Sequence, residues 1–271
     1  MTIFTDVSKE DCSKLLKKGF TTEPGRTAYE QARFIKKDLV LVLYTSGKLL
    51  MQGKPAAVTL AAKLVRSLKI GRKEKNLSFK KETGWIIGSD ETLKGDTFGG
   101  MVVAAVKAND EVRKKLTELG VQDSKNLSDT EIPPLADAIK KIAPCEIISL
   151  LPEEYNKSHH HQTELLNKLH TQVAQYLAPG KHIVDKYPGC IVGQVQEEHA
   201  ESKYVEVAAA SILARAAALQ QLNYLSSLAG FALPKGSTHI SLGLLELQQR
   251  GLEFKHFVKM DFRNVQEFLN K

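Results

Sequence analysis

The sequence predicts an α/β fold in which helices pack on a β-sheet, preceded by a small α+β unit. From residue 84 onward, short apolar strands alternate with longer amphipathic segments, an order typical of a sheet covered by helices. Residues 1–75 follow a different order, with strands between two helices, and hold the whole excess of positive charge. With 271 residues, of which 42% are hydrophobic, the chain is long enough to bury a core in each unit.

The small unit contains a helix, a group of strands and a second helix. In chain order, the predicted elements are a helix at 8–18, strands at 27–38 and 39–53, and a helix at 55–68. Ser8 is suited to cap the first helix, Gly19 to end it, and Pro55 to begin the second one. The polar, basic stretch that follows predicts a linker, which we place at residues 76–83.

The larger unit is predicted as one α/β domain over residues 84–271. Its predicted strands lie at 84–90, 101–108, 145–152 and 182–186, and its predicted helices lie at 109–119, 132–143, 163–177 and 202–225. The helix at 163–177 has an apolar face at i, i+3, i+4 and i+7. The helix at 202–225 is long and rich in alanine. Alternation of this kind places helices on the sheet.

The positive charge is concentrated at the N-terminal end of the chain. Residues 1–80 contain 17 Lys and Arg against 7 Asp and Glu, whereas the remaining residues contain 21 against 24. A basic surface can be an ordinary solvated face. Confined to one segment, it also indicates a module that binds a polyanion, because neutralised phosphates release counterions and supply sequence-independent affinity.

The composition points away from membranes, disulfides and zinc. No apolar stretch reaches the roughly 18 to 20 residues that a membrane span needs, and the first thirty residues lack the apolar block of a signal peptide. The three cysteines are far apart and form no C-x-x-C pair. We therefore expect a soluble cytoplasmic protein without a structural zinc site.

Four acids stand where strands and helices could bring them together. Asp90 and Glu91 follow the first strand of the larger unit, Asp185 follows a later strand, and Glu201 precedes the long helix. Carboxylates that converge at a sheet edge repel one another, and divalent cations such as Mg²⁺ or Mn²⁺ relieve that repulsion. Taken singly, each acid has an ordinary explanation as a turn residue or as a favourable charge in a first helical turn.

Other catalytic motifs are missing. The stretch at 88–95 is not a phosphate-binding P-loop, because Leu93 rather than glycine precedes Lys94. The stretch PKGST at 234–238 has the end of that motif without its earlier glycine. Neither G-x-S-x-G nor H-E-x-x-H occurs.

Six segments recur in the order of a known family. They are DETLKGDTFG at 90–99, DSKNLS at 123–128, LPEEYN at 151–156, IVDKY at 183–187, HAESKYVEVAAASILARAA at 199–217 and LPKGS at 233–237. Together they resemble the type 2 ribonuclease H family, and within it ribonuclease HIII. Glu201, where the sister ribonuclease HII enzymes usually have aspartate, favours the HIII branch.

The resemblance implies a fold, a reaction and its cofactors. The fold would be a ribonuclease H-like mixed sheet flanked by helices, and residues 1–75 would be a domain shaped like the TATA-box-binding protein that helps to hold substrate. Asp90, Glu91, Asp185 and Glu201 would hold two Mg²⁺ or Mn²⁺ ions. The reaction would cleave the RNA strand of an RNA/DNA hybrid and leave 5′-phosphate and 3′-hydroxyl ends.

The resemblance also implies five substrate contacts. They are Lys94, Gly95, Asp123, Ser124 and Lys125. The glycine-rich loop that follows the acidic pair, residues 92–100, would bring its backbone to the 2′-hydroxyl, the group that distinguishes RNA from DNA. Lys94 would neutralise a phosphate, and residues 123–125 would hold backbone phosphates, with Ser124 and Lys125 as donors. A plain helix-capping loop is the competing interpretation of residues 123–125.

Two departures from the family pattern leave alternatives open. Leu93 stands where the family usually has glycine, and Gly100 where it usually has proline. A leucine either adopts the conformation that glycine makes easy or changes the loop. One alternative is a hybrid-binding protein whose catalysis has decayed, and another is incision at single ribonucleotides in DNA. We expect no obligate protein partner.

Overall fold

The computed structural model describes residues 2–71, 79–122, 124–158, 161–236 and 239–270. The chain divides into two compact units, Met1–Asn76 and Leu77–Lys271. Residues 76–78 of the predicted linker lie outside the described residues. No helix in the described ranges combines the length and the apolar surface that crossing a bilayer requires.

The N-terminal unit is a five-stranded antiparallel sheet with two helices. Its elements are β1 (Thr2–Phe4), α1 (Lys9–Leu16), β2 (Thr21–Glu23), β3 (Glu30–Lys36), β4 (Leu39–Tyr44), β5 (Leu49–Gln52) and α2 (Pro55–Ser67), and the strand order is β1-β5-β4-β3-β2. Ser8 caps α1 as predicted, because its hydroxyl accepts the backbone N–H of Asp11 at 3.0 Å. The sequence did not indicate β1 or β2, which are too short to show periodicity.

Both helices of this unit pack on the same face of the sheet. Alternate residues of the strands, among them Phe34, Leu41 and Met51, share one buried cluster with Leu15 of α1 and Val65 of α2. Helices on one face of an antiparallel sheet confirm the α+β arrangement predicted for the unit.

The larger unit contains a mixed five-stranded sheet. Its strands are β6 (Ile86–Thr92), β7 (Met101–Ala108), β8 (Cys145–Leu150), β9 (Lys181–Asp185) and β10 (Val195–Glu197), in the order β10-β9-β6-β7-β8. Strands β10, β9 and β6 are parallel, whereas β6, β7 and β8 are antiparallel to one another in turn. The mixed sheet flanked by helices confirms the predicted fold class.

Helices cover both faces of this sheet. They are α3 (Asp110–Glu118), α4 (Ile132–Ile142), α5 (Pro152–Lys157), α6 (Gln162–Leu177), α7 (Val205–Ala229), α8 (Ile240–Gln249) and α9 (Arg263–Leu269), with short 3-10 helices at Ser124–Asn126, Ala200–Ser202 and Phe254–His256. One face packs against α7 and α4, and the opposite face packs against α6. Burial on both faces explains why β7 is apolar along most of its length.

Helix α7 lies unusually close to β6. A Cβ atom added at Gly88 would stand 2.4 Å from the backbone N of Val207, so only glycine allows this approach. The alanines Ala208, Ala209 and Ala210 of α7 are fully buried. Glycine and alanine together therefore bring the long helix against the middle strand that carries two of the predicted site residues.

Two boundaries differ from the sequence prediction, and several elements are additional to it. Strand β6 continues to Thr92, two residues past the predicted end at residue 90, so Glu91 lies within the strand and not after it. The strand is longer than its apolar run because β7 pairs with it as far as Thr92. Helix α7 begins at Val205 instead of residue 202, since the 3-10 turn comes first. Helices α5, α8 and α9 and strand β10 are additional to the predicted elements.

Candidate active site

Asp90 and Asp185 lie next to each other because β6 and β9 are parallel neighbours. The register of the two strands pairs Ser89 with Val184, so each aspartate is the next residue along its strand. Strand β9 ends at Asp185, as the sequence predicted. The sheet therefore brings together two carboxylates that are far apart in the chain.

The face that carries Asp90 and Asp185 is covered by α7 and by the turn before it. The hydroxyl of Ser211, on α7, hydrogen-bonds the side chain of Asp90. The backbone N–H of Ala200 donates to Oδ1 of Asp185 at 2.8 Å. Ala200 begins the 3-10 helix that also contains Glu201. This turn both orients Asp185 and supplies a third carboxylate.

Glu201 is a buried carboxylate with one oxygen that is not hydrogen-bonded. The residue is 2% exposed, and its Oε1 lies 3.1 Å from Nζ of Lys125. Within the described ranges, its Oε2 is buried and has no hydrogen-bond partner. A buried polar oxygen in that position costs free energy unless it is paired or ligates a cation. Oε2 of Glu201 is therefore suited to be a ligand for a cation.

Glu91 leaves β6 on the opposite face from Asp90, because neighbouring residues of a strand alternate in direction. Its Oε2 lies 3.3 Å from Nε2 of His170, a fully buried histidine of α6, and its Oε1 lies 3.3 Å from Nζ of Lys94. Burial alone would raise the pKa of Glu91, but His170 and Lys94 hold it below its ordinary value. Glu91 is thus kept ionised by two neighbours of its own.

The pKa values of Asp90 and Asp185 are shifted upward, in the opposite direction to that of Glu91. Burial raises the pKa of Asp90 well above its usual range, and the charges of Glu91 and Asp185 raise it further. Burial raises the pKa of Asp185 to about 6, and the charges of Glu201 and Glu91 add to the increase. Mutual effects of this kind require that the carboxylates are close in space.

The donor set fits a divalent cation. Its four members are all carboxylates, the ligands that Mg²⁺ and Mn²⁺ prefer. Among the residues that the structure describes, no three His, Cys, Asp or Glu side chains stand close enough to form a ready-made metal group. A bound cation would therefore require the carboxylate side chains to rotate toward one another.

The glycine-rich loop keeps the conformation that glycine would allow. Leu93 has a φ of +64°, in the left-handed region, and is only 5% exposed. Its Cδ1 would stand 2.9 Å from a Cβ atom added at Gly99. The leucine therefore adopts the backbone conformation of glycine, and its side chain packs inward instead of blocking the surface of the loop.

Gly100 has a different role from the proline that the family usually has. Its backbone N–H donates to Oε1 of Gln221 at 2.7 Å, and proline has no N–H to donate. The side-chain amide of Gln221 also donates to Oγ of Ser149 and to the carbonyl of Leu150, each at 2.9 Å. Gln221 of α7 thereby connects the end of the loop to strand β8.

The predicted substrate contacts occupy different environments. Gly95 is exposed, and no atom of the described residues lies within 4 Å of an added Cβ. Nζ of Lys94 lies over the ring of Tyr187 at 4.7 Å from its centroid. Ser124 is only 5% exposed, and its hydroxyl lies 2.7 Å from Oγ of Ser211, so a phosphate contact by this group would have to replace that hydrogen bond. The side chain of Lys125 is 71% exposed.

Asp123 lies outside the described residues. The segment that follows it begins with the short 3-10 helix Ser124–Asn126. Arg215 of α7 donates to the carbonyl oxygen of Ser124 and forms an ion pair with Asp129 at 2.8 Å. These contacts fix the backbone of the predicted phosphate-binding segment against the helix that carries Ser211.

Three buried polar residues behind Glu91 did not emerge from the sequence. Oγ of Ser89 lies 2.8 Å from Nδ1 of His170 and 2.8 Å from Nε2 of His182. Burial, with the charge of His170, lowers the pKa of His182 to about 4, so this ring is neutral at pH 7. The available signal was a histidine at position 170 on the helix face that also carries Leu166 and Val173.

A hydrogen-bonded chain behind Glu91 runs from His182 through Ser89 to His170. The Ser89 hydroxyl has one proton, so it donates to one of the two rings and accepts from the other. When His170 carries the positive charge that acts on Glu91 and His182, its Nδ1–H donates to Ser89, and the hydroxyl donates to Nε2 of the neutral His182 ring. Nε2 of His170 then also carries a proton and lies 3.3 Å from Oε2 of Glu91, an ion-pair distance although the two atoms do not have hydrogen-bond geometry.

Replacing His170 with glutamine should weaken divalent-cation binding by about tenfold, the lower end of the range for residues that orient a metal ligand. The reason is that Glu91 would lose the ring that fixes Oε2. The measurement is calorimetric titration of Mn²⁺ into the metal-free protein. His256→Gln is the matched control, because His256 pairs with Glu153 and contacts none of the four carboxylates. Equal affinities for the two variants would show that His170 only fills space.

Comparison with known proteins gives a consistent set of relatives. A family model described as Ribonuclease HII matches residues 87–265. Ribonuclease HIII of Chlamydia pneumoniae is 33% identical over 270 residues, covering 88% of this chain and 85% of that protein. Ribonuclease HIII of Streptococcus agalactiae serotype III (strain NEM316) is 32% identical over 256 residues, covering 84% of each chain.

The solved structures agree with the sequence matches. The chain is similar to the crystal structure of Bst-RNase HIII in complex with Mn²⁺, with a TM-score of 0.63 and 28% identity. The match covers 99% of this chain and 98% of that one, so the similarity includes both units.

Proposed function

The chain belongs to the type 2 ribonuclease H family, in its ribonuclease HIII branch, and is a ribonuclease H; from this premise we propose that it hydrolyses the RNA strand of RNA/DNA hybrids with divalent cations held by Asp90, Glu91, Asp185 and Glu201. The observation that carries the proposal is the register of β6 and β9, which puts Asp90 beside Asp185. Raised pKa values at both aspartates support it, since a cation would relieve their repulsion.

The residues that orient the carboxylates lie on both faces of the sheet. Two divalent cations, Mg²⁺ or Mn²⁺, would supply an activated water and would stabilise the leaving 3′ oxygen, which leaves 5′-phosphate and 3′-hydroxyl ends. On the α7 face, Ser211 orients Asp90 and the amide of Ala200 orients Asp185. On the α6 face, His170 fixes Glu91.

Substrate selection is assigned to the exposed side of the glycine-rich loop. We expect the backbone at Gly95 to approach the ribose 2′-hydroxyl, because no residue in the described part of the chain covers this glycine within 4 Å of an added Cβ. Lys94 would neutralise a phosphate, and Ser124 and Lys125, with Asp123, would hold the backbone next to it. Leu93 packs inward and leaves the surface of the loop open, so this departure from the family pattern does not support the alternative of decayed catalysis.

The N-terminal unit is assigned to substrate binding. Its basic excess is the electrostatic signature of a module that binds nucleic acid in a sequence-independent way. We place this domain at residues 1–75, the linker at 76–83 and the catalytic domain at 84–271. The unit has a hydrophobic core of its own, which is consistent with a separate domain.

A comparison of two substrates tests the proposal. The purified chain with Mg²⁺ or Mn²⁺ should cleave a uniform RNA/DNA hybrid and should leave a DNA duplex with one embedded ribonucleotide largely intact. Product ends are identified by labelling, which requires a 5′-phosphate and a 3′-hydroxyl. Preferred cleavage at the single ribonucleotide would favour the incision activity of ribonuclease HII enzymes. Binding of the hybrid without cleavage of either substrate would favour a decayed enzyme.

A further inference from the structure

A buried lysine lies directly beneath the glycine-rich loop. Lys259 is 0% exposed, and its ammonium group donates to the carbonyl oxygen of Asp96. The ammonium also lies over two aromatic rings, 4.9 Å from the centroid of Phe262 and 5.6 Å from that of Tyr155. Burial lowers the pKa of Lys259 to about 8, although Asp96 and Asp261 act in the opposite direction. An apolar side chain would fill this site at a lower desolvation cost.

The backbone around Lys259 is fastened to the same loop. The N–H of Lys259 donates to the carbonyl of Thr97 at 3.0 Å, and the N–H of Gly99 donates to the carbonyl of Phe257 at 3.0 Å. Phe98 and Val258 form an isolated β-bridge between these two contacts. We refer to residues 257–264 as the C-terminal segment. It forms a short strand-like pairing with the buried side of the loop.

Two side-chain contacts complete this attachment. Nδ2 of Asn264 donates to Oγ1 of Thr97 at 2.7 Å. The ammonium of Lys259 reaches past Thr97 to the carbonyl of Asp96, a hydrogen bond made stronger by its charge. The N–H of Asp96 donates to the carbonyl of Leu93 at 3.2 Å and closes the turn that contains Lys94 and Gly95. Lys259 therefore acts on the peptide group at the end of the turn proposed to approach the ribose.

The C-terminal segment is itself fixed by α5. Nδ2 of Asn156 donates to the carbonyl of Val258 at 2.9 Å, and its Oδ1 accepts the N–H of Met260 at 2.9 Å. The hydroxyl of Tyr155 donates to Oδ2 of Asp261 at 3.0 Å. Since Val258 and Met260 flank Lys259, these contacts hold the backbone of the lysine on both sides. A segment fixed in this way can hold the glycine-rich loop in a defined position.

We propose that Lys259 is a positioning residue that holds the turn Leu93–Asp96 in the conformation used to recognise the ribose of the RNA strand. The inference rests on the proposed function, because it assigns ribose recognition to this turn. Lys259 contacts neither the four carboxylates nor the surface, so its effect is on how substrate is bound more than on the chemical step. Loss of the ammonium should therefore loosen the turn and raise the KM for hybrid.

Lys259→Met tests the proposal, with Lys255→Met as the matched control. Methionine keeps the length and the apolar contacts of the buried side chain, whereas Lys255 is half exposed and pairs with Glu253 on the surface. In Lys259→Met, the amides of residues 96–99 should exchange with deuterium about tenfold faster, while amides of β7 keep their protection. The KM for hybrid should rise about tenfold, with a smaller change in kcat. Lys255→Met should match the wild type in all three measurements.

The outcomes separate this inference from the proposed function. Hydrogen exchange is measured without substrate or metal, so it reports on the turn even if hybrid cleavage is absent. Unchanged exchange at 96–99 and an unchanged KM in folded Lys259→Met would overturn the role of Lys259. A wild-type chain that fails to cleave hybrid would instead overturn the proposed function.

A second variant covers the case in which Lys259→Met does not fold. Asn264→Ala removes the partly buried hydrogen bond between Asn264 and Thr97, which also joins the C-terminal segment to the glycine-rich loop. It should produce the same two changes, faster exchange at 96–99 and a higher KM, at a smaller amplitude. Wild-type exchange and KM in this variant, with Lys259→Met unfolded, would reduce Lys259 to a packing residue and reject the proposal.

Discussion

Replacing Asp185 with asparagine is expected to abolish hybrid cleavage and, at the same time, to make the metal-free protein more stable. Cleavage should fall by about a thousandfold or more, because the variant loses the carboxylate beside Asp90 that we propose as a cation ligand. Stability at pH 7 should rise by about 1 to 2 kcal/mol, since burial and neighbouring charges raise the pKa of Asp185 to about 6 in the folded state. Opposite effects on activity and stability are what a functional carboxylate cluster predicts.

The stability gain should depend on pH in a defined way. In the unfolded chain an aspartate has a pKa of about 3.9, so between pH 4 and 6 the folded wild type binds more protons than the unfolded chain. Wild-type stability therefore increases as the pH falls through this window, and the advantage of Asp185→Asn, complete above pH 6, disappears toward pH 4. Urea unfolding in the presence of a chelator at several pH values measures this.

A surface aspartate serves as the control for this prediction. Asp137 lies on the exposed side of α4, so Asp137→Asn should change neither cleavage nor the pH profile of stability. If Asp185→Asn retained most of the cleavage activity, the assignment of Asp185 as a cation ligand would be wrong. If the variant were less stable than the wild type at pH 7, the carboxylate would not be repelled by its neighbours as described.

Removing residues 1–75 should reduce hybrid affinity strongly while leaving cleavage intact at saturating substrate. The removed part holds the basic excess of the chain. Each lost phosphate contact should make the dependence of log affinity on log salt shallower by about 0.9, so the affinity loss should be roughly 100-fold or more at low salt and smaller at high salt. Fluorescence anisotropy with labelled hybrid at several salt concentrations gives both quantities.

The fragment beginning at residue 76 is expected to fold. The buried clusters of the larger unit draw on residues from 79 onward, and the cluster of the N-terminal unit contains only residues of that unit. Thermal unfolding of the fragment is the control for its integrity. Wild-type affinity with an unchanged salt slope would reject the substrate-binding role of the N-terminal unit, and a loss of kcat without a change in affinity would assign it to the chemical step.

The strands and helices show which elements a local sequence pattern can predict and which it cannot. The alternation of apolar runs with amphipathic segments predicted the strands and the long helices of the α/β domain, because burial of one face leaves a periodic trace in the sequence. Strands of three residues, such as β1 and β10, leave no such trace. The sequence also showed no sign that β6 continues through Glu91 and Thr92, since pairing with β7 and not residue type extends that strand.

By itself, the sequence determined the family and the mixed α/β architecture and predicted four acids as cation ligands, because these inferences depend on residue types and on their order. The tertiary structure alone decided that Asp90 and Asp185 are neighbours on one face, that Glu91 stands on the other against His170, and that Lys259 supports the glycine-rich loop. The physical reason is that register, burial and charge repulsion act between residues distant in the chain. A local pattern contains no record of such pairs.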